Sequence, residues 1–211
     1  MEIVAATKNI GKINEIRKAL EKIDVRVLSM DELGLEIDVD EDGKTYSENA
    51  IKKAVEVAKI SGKFSLADDS GLEIDALNGR PGINSSRFAG VNADDMERNL
   101  KVLEMIKDVP HEKRGARFRC VMAIATPEGK TFTCEGVCEG EIAEGIRGDK
   151  GFGYDPIFIP LPPIIPPYKG GEGKTFGELG PEVKDKISHR AKALKKAVEV
   201  LMSLKVKEFR R

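Results

Sequence analysis

The chain has 211 residues, 40% apolar and 34% charged, with 35 Lys plus Arg against 36 Asp plus Glu. That length supports a sizeable core and no tract is of low complexity, which excludes a disordered or fibrous chain and predicts a single domain over residues 1–211. Near-zero net charge excludes a global positive field for nucleic acid, MEIVAATKN has too short an apolar run for a signal peptide, and no segment is apolar for long enough to span a bilayer; a cytoplasmic protein with no nucleic-acid or membrane partner is expected.

Taken in chain order, Glu2 to Thr7 reads as a short buried strand and Gly11 to Ile23 as a helix, with Ile13, Ile16, Leu20 and Ile23 at helical spacing. Val25 to Ser29 is a second strand. Thr45 followed by Glu48 is a capping box that opens a helix running to about Ser61, with Ala50, Ala54, Val57 and Ala58 inward. Lys63 to Ala67 is a strand that runs into Asp68 and Asp69, and Leu72 to Leu77 suits a further strand. Asn78 to Gly90 has loop chemistry. Asp94 to Ile106 is a helix turned inward through Met96, Leu100, Leu103 and Ile106. Arg117 to Thr126 and Lys130 to Cys138 form a hairpin around Pro127-Glu128-Gly129. From Pro181 the tail is one helix, with Val183, Ile187, Ala191, Leu194, Val198 and Leu201 in phase. Interleaved strands and helices indicate an α/β protein with a mixed sheet.

Cys134 and Cys138, with Cys120 and His111, can be drawn as a zinc site. Four residues of strand would hold the first two sulfurs roughly 13 Å apart, however, which favours small buried residues over a metal.

Several places could carry chemistry. Two adjacent carboxylates at Asp68-Asp69 repel and resist burial, and need a divalent metal, a basic partner or open water to stay ionised. Thr7-Lys8-Asn9-Ile10-Gly11-Lys12 joins a strand to a helix start, where free N–H groups and two lysines suit phosphate, although a polar turn with an N-cap explains the stretch equally well. Gly170 to Thr175 imitates the end of a P-loop, but Tyr168 stands where the first glycine belongs and prolines where the strand belongs, so that reading is rejected. Asn49 and Lys53 share a helix face and Glu41 sits in an acidic run; taken singly, these are surface residues. Gly151-Phe152-Gly153-Tyr154-Asp155-Pro156 offers aromatic rings on a glycine loop, suited either to stacking on a base or to packing in a tight turn. His189, placed on one continuous helix, would point away from the apolar stripe and be exposed.

Together, TxNxxK at Thr7, Asn9 and Lys12, SENA at 47–50, ADDSGL at 67–72, PGxxSxR at 81–87, GFGYDPIF at 151–158 and SHR at 188–190 resemble the inosine triphosphate pyrophosphatase family over nearly the whole chain. The resemblance implies an elongated mixed α/β sheet flanked by helices, with two lobes, an active-site cleft between them and a homodimer. It implies magnesium-dependent hydrolysis of ITP, dITP and XTP to monophosphate and pyrophosphate. By the same resemblance, Thr7, Lys8, Asn9, Gly11 and Lys12 line the triphosphate pocket with Lys53 and Lys174. Glu41 and Asp69 hold Mg2+, Asp69 doubling as the base, with Ser70 beside it. Phe152 stacks on the purine, Gly153, Tyr154 and Asp155 complete that wall, and His189 and Arg190 read the 6-oxo edge. Lys8, Ser86 and Ala191 depart from the common pattern, as does the long proline-rich link at 159–167 before Lys174. The alternative is a nucleotide-responsive or RNA-binding module without turnover, which near-neutral charge and 5% aromatics disfavour.

Overall fold

A computed structural model describes residues 1–161 and 173–208. Most of the proline-rich link, with Tyr168 and the double glycine of the P-loop look-alike, lies outside the described residues.

Six strands form one mixed sheet in the order β2-β1-β3-β4-β5-β6. The strands are β1 (Glu2–Ala5), β2 (Arg26–Ser29), β3 (Phe64–Ile74), β4 (Gly115–Ala125), β5 (Thr131–Ile142) and β6 (Phe158–Pro160). β1 is parallel to both neighbours, Ile3 lying opposite Val27 of β2 and Phe64 of β3. Parallel neighbours require crossovers, and α1 (Ile10–Leu20) and α2 (Tyr46–Ser61) supply them. Covered by these helices, Ile3, Val4 and Ala5 of β1 are inaccessible to solvent, as the unbroken apolar run predicts. β6 closes the other edge antiparallel to β5. The remaining helices are α3 (Asp95–Met105), α4 (Phe176–Leu179), α5 (Pro181–Ile187) and α6 (His189–Glu208). No described helix is long and apolar enough to cross a membrane.

The chain divides into two compact units, residues 1–69, 120–136 and 190–211 in the first and residues 70–119 and 137–189 in the second. Each has its own core. In the first, Ile13, Ile16 and Leu20 of α1 and Ala193, Leu194, Ala197 and Leu201 of α6 pack with Ile3, Leu66 and Met122. In the second, Leu72 and Ile74 of β3 pack with Val102, Ile106, Phe118, Phe158 and Phe176. Cys120, Cys134 and Cys138 are buried free thiols, in keeping with the small-residue reading.

Four expectations need correction. First, Asp68 and Asp69 do not end a strand: β3 runs through them to Ile74, and Asp75 to Leu77 is a 3-10 turn, because ion pairs replace the water that an isolated acidic pair would need. Second, Glu48 does not close a reciprocal box with Thr45. Thr45 caps α2 through the N–H of Glu48, but the Glu48 carboxylate accepts from Lys44 N, one residue earlier, at 2.6 Å. Third, α3 buries Asn99 and Val102, with Ile106 buried at its C-cap, leaving Met96 and Leu100 more than half exposed, since a buried polar residue holds the position that apolar periodicity gave to its neighbours. Fourth, the tail breaks at Ser188, whose extended backbone (φ −66°, ψ 160°) ends α5. α6 restarts in a new phase, and His189 is buried instead of exposed.

Candidate active site

In the first unit, the β1–α1 corner is a capped turn. The Asn9 side chain accepts from Lys12 N at 3.1 Å, and Thr7 Oγ1 accepts from Asn9 N at 3.2 Å. Gly11 follows on the first turn of α1, whose N-terminal dipole favours an anion. A cavity of about 190 Å³ opens beside it, lined by Thr7, Lys8, Lys12, Glu41 and Lys53 and walled by apolar residues that include Met30. Three lysines against the two lining carboxylates, Asp38 and Glu41, leave the cavity lining net positive, which suits an anion. Lys8 is exposed and only loosely paired with Asp38, 3.5 Å away.

α2 brings two polar residues to the acidic pair. Asn49, 1% exposed, donates from Nδ2 to Asp69 Oδ2 at 3.0 Å and accepts from Gly43 N at 2.8 Å. One turn on, Lys53 Nζ donates to Glu41 Oε1 at 2.5 Å and to the Asp68 carbonyl at 2.7 Å. Residues that look like surface positions when taken singly are thus tied to β3 and to the 41–43 loop.

The two aspartates differ sharply. Asp68 Oδ2 faces Lys12 Nζ at 3.0 Å and accepts from Arg190 Nε and Nη2 at 3.2 and 3.1 Å; Arg190 Nη1 donates to Glu15 Oε2 at 2.8 Å. Burial alone would raise the Asp68 carboxyl, but Lys12, Arg190 and Lys53 outweigh it and hold the group well below the usual carboxylate range. Asp69 is pushed upward, first by burial and further by the negative charge of Glu41, against the opposing pull of Lys53 and Asn49. Lys53 stays protonated, because Asp68, Glu41 and Asp69 together overcome its desolvation.

Glu41 and Asp69 are hard oxygen donors whose like charges oppose each other, an arrangement that a divalent cation relieves. Among the described residues no three His, Cys, Asp or Glu side chains gather into an all-protein cage. A pair of carboxylates nevertheless suits magnesium, which binds through one or two of them and completes its shell with water and phosphate oxygens.

In the second unit, the Gly151-to-Asp155 loop is held from several sides. Asp155 Oδ2 accepts from Phe152 N at 2.9 Å and from Lys184 Nζ at 2.6 Å, with Asp155 and Lys184 only 1% and 5% exposed. The Lys184 ammonium also lies 4.0 Å from the centre of the Phe152 ring, a cation–π contact. Tyr154 is buried and donates its hydroxyl to the Ser85 carbonyl at 2.8 Å. Phe152 is half-buried. His189 stacks on Phe118, centroids 4.7 Å apart and planes inclined by 15°. Ser70 is half-buried, and Lys174 is exposed just after the undescribed segment.

Glu15 and Lys184 were not among the candidates. Glu15 is one helical turn from Lys12, and an acid flanked by the inward-facing Ile13 and Ile16 is a usable signal in hindsight. Lys184 gives none, because a lysine at the edge of an apolar stripe ordinarily turns its ammonium to water and its partner Asp155 lies 29 residues away.

The sequence and the fold agree with comparisons to known proteins. A profile of the Ham1 family matches residues 3–200, and the chain belongs to that family. It is 49% identical over 204 residues to a dITP/XTP pyrophosphatase of Desulforamulus reducens, covering 97% of both chains. It is 47% identical over 200 residues to a dITP/XTP pyrophosphatase of Bacillus subtilis, covering 95% of this chain and 96% of the relative. Among solved structures, a HAM1 protein from Coxiella burnetii superposes with a TM-score of 0.82 at 42% identity, over 96% of this chain and 99% of that one.

Proposed function

We propose that this chain is a nucleoside triphosphate pyrophosphatase that hydrolyses dITP, ITP and XTP to the monophosphate and pyrophosphate, with magnesium, and so clears non-standard purines from the nucleotide pool. The observation that carries the reading is the cavity lined by Lys8, Lys12 and Lys53 with Glu41, a place for phosphates and for one cation ligand together. The names of the close relatives support the substrate class.

The residues take the following parts. Thr7, Asn9, Gly11 and Lys12 receive phosphate oxygens at the α1 start, with Lys8, Lys53 and Lys174 adding positive charge. Glu41 and Asp69 would hold a magnesium ion, which would neutralise charge on the phosphates. Asp69, its basicity raised by burial, takes a proton from the attacking water, with Ser70 beside it. Water oxygen bonds to the α-phosphorus, the bridging bond to the β-phosphate breaks, and pyrophosphate leaves. Phe152 stacks on the purine, supported by Gly153, Tyr154, Asp155 and the Lys184 cation. His189 and Arg190, at the break before α6, are assigned to the 6-oxo group, Arg190 held in place by its ion pairs with Asp68 and Glu15. Such a donor-lined site leaves its donors unpaired against a 6-amino group, which is the physical basis for rejecting ATP.

Cytoplasmic action and a homodimer complete the reading. Met96 and Leu100, four apart on one face of α3, are exposed apolar residues of the kind that a second copy would cover. Sedimentation of the purified chain tests the dimer. The activity is tested by pyrophosphate release from dITP, ITP and XTP with magnesium and with a chelator; a chain that binds these nucleotides without turnover would be a nucleotide-responsive module instead.

A further inference from the structure

The Gly153 peptide is gripped at both ends by one helix. Asp95, the first residue of α3, accepts from Gly153 N through Oδ2 at 2.6 Å. Asn99, one turn on and only 2% exposed, donates from Nδ2 to the Gly153 carbonyl at 2.9 Å and to the Asp95 carbonyl at 2.7 Å. Both neighbours of that nitrogen are carbonyl oxygens, which fixes the orientation of the amide. The other carboxylate oxygen of Asp95 pairs with Arg98, a second restraint on the acid. Gly153 has φ +65°, a conformation that glycine adopts without penalty, and it follows directly after Phe152.

We propose that Asp95 and Asn99 are positioning residues for the base end of the site: they fix the Gly153 peptide and thereby the direction in which the Phe152 ring faces. The proposal rests on Phe152 stacking on the purine. Loops carrying a recognition ring lose affinity when they must be ordered by the ligand, and this grip supplies the order beforehand. Asp155 restrains the same loop at the Phe152 N–H. Its partner Lys184 touches the Phe152 ring, whereas Asp95 and Asn99 act on the backbone alone. Nothing in the apolar periodicity of α3 gives a reason for a buried asparagine; the loop contact does.

The test compares wild type, Asn99→Asp and Asp95→Ala. In Asn99→Asp an oxygen replaces the donor that faces two carbonyls at unchanged size, and in Asp95→Ala the acceptor for Gly153 N–H is gone. KM for dITP should rise about tenfold in each while kcat stays within about threefold, in line with loss of a single orienting contact. Competitive inhibition by inorganic tripolyphosphate, which has no base, should keep its wild-type constant. The proposal is overturned by a KM within about twofold of wild type in both variants, or by tripolyphosphate inhibition weakening in step with KM, the mark of general loosening. A wild-type chain that binds dITP without hydrolysing it would sink the functional reading alone, and the Kd for dITP in the same variants would then test the grip.

Discussion

Arg190 donates from Nε and Nη2 to the single oxygen Oδ2 of Asp68, at 3.2 and 3.1 Å, across 122 residues of chain. This pair joins the first turn of α6 to the middle of β3 inside one unit, and Lys12 shares the same oxygen. It explains how an apolar strand tolerates two successive carboxylates. Asp68 is neutralised by protein cations, which leaves Asp69 as the acid whose charge the fold itself disfavours.

Asp68→Asn and Asp69→Asn should therefore move stability in opposite directions. Loss of the Asp68 charge leaves buried Arg190 and Lys12 undercompensated, at a cost of about 3 kcal/mol and a clear fall in Tm. Asp69→Asn removes an acid held up by burial and by Glu41, and should melt at or above the wild-type temperature in metal-free buffer. Thermal melts of the two variants decide the point; equal destabilisation by both would contradict it.

The pH dependence follows from the same pair. The Asp68 carboxyl is held below its ordinary value of 3.8, so its stabilising contribution is complete above about pH 4 and is lost as the pH falls toward its folded value. Acid titration of fluorescence or circular dichroism should show wild type losing stability below pH 4, and Asp68→Asn showing a shallower acid limb from a lower starting stability. An unchanged limb would remove Asp68 as its source.

Gly151→Ala should destabilise the second unit by about 1–3 kcal/mol and weaken nucleotide binding. Gly151 has φ +83°, and an added Cβ would collide with the Asp155 carboxylate that holds both Phe152 N and Lys184. Chemical denaturation checks the first part and KM for dITP the second; a variant neutral in both would refute the role of that carboxylate.

Much of this was readable from the residues. Helical spacing gave the inward Ile13, Ile16 and Leu20 of α1, and Ala50, Ala54, Val57 and Ala58 of α2 are buried as expected. Legibility ended where polar groups are buried by partners distant in the chain. Periodicity reads water as the alternative to apolar contact, and so it put His189 on the surface, overlooked Lys184 and gave Met96 and Leu100 the inward place that Asn99 takes. The break at Ser188 had no glycine or proline to announce it. Likewise the Asn9 cap and the proposed phosphate corner are one structure, which composition could present only as alternatives.

The most direct test of the central claim is steady-state pyrophosphate release by wild type and Asp69→Asn, from dITP, ITP, XTP and ATP at saturating magnesium. The account predicts turnover of the 6-oxo nucleotides by wild type at least about a hundredfold above ATP in kcat/KM, the scale at which unpaired buried donors discriminate. It predicts near-complete loss in a folded Asp69→Asn. Comparable turnover of ATP and ITP, or near-wild-type activity in Asp69→Asn, would contradict it.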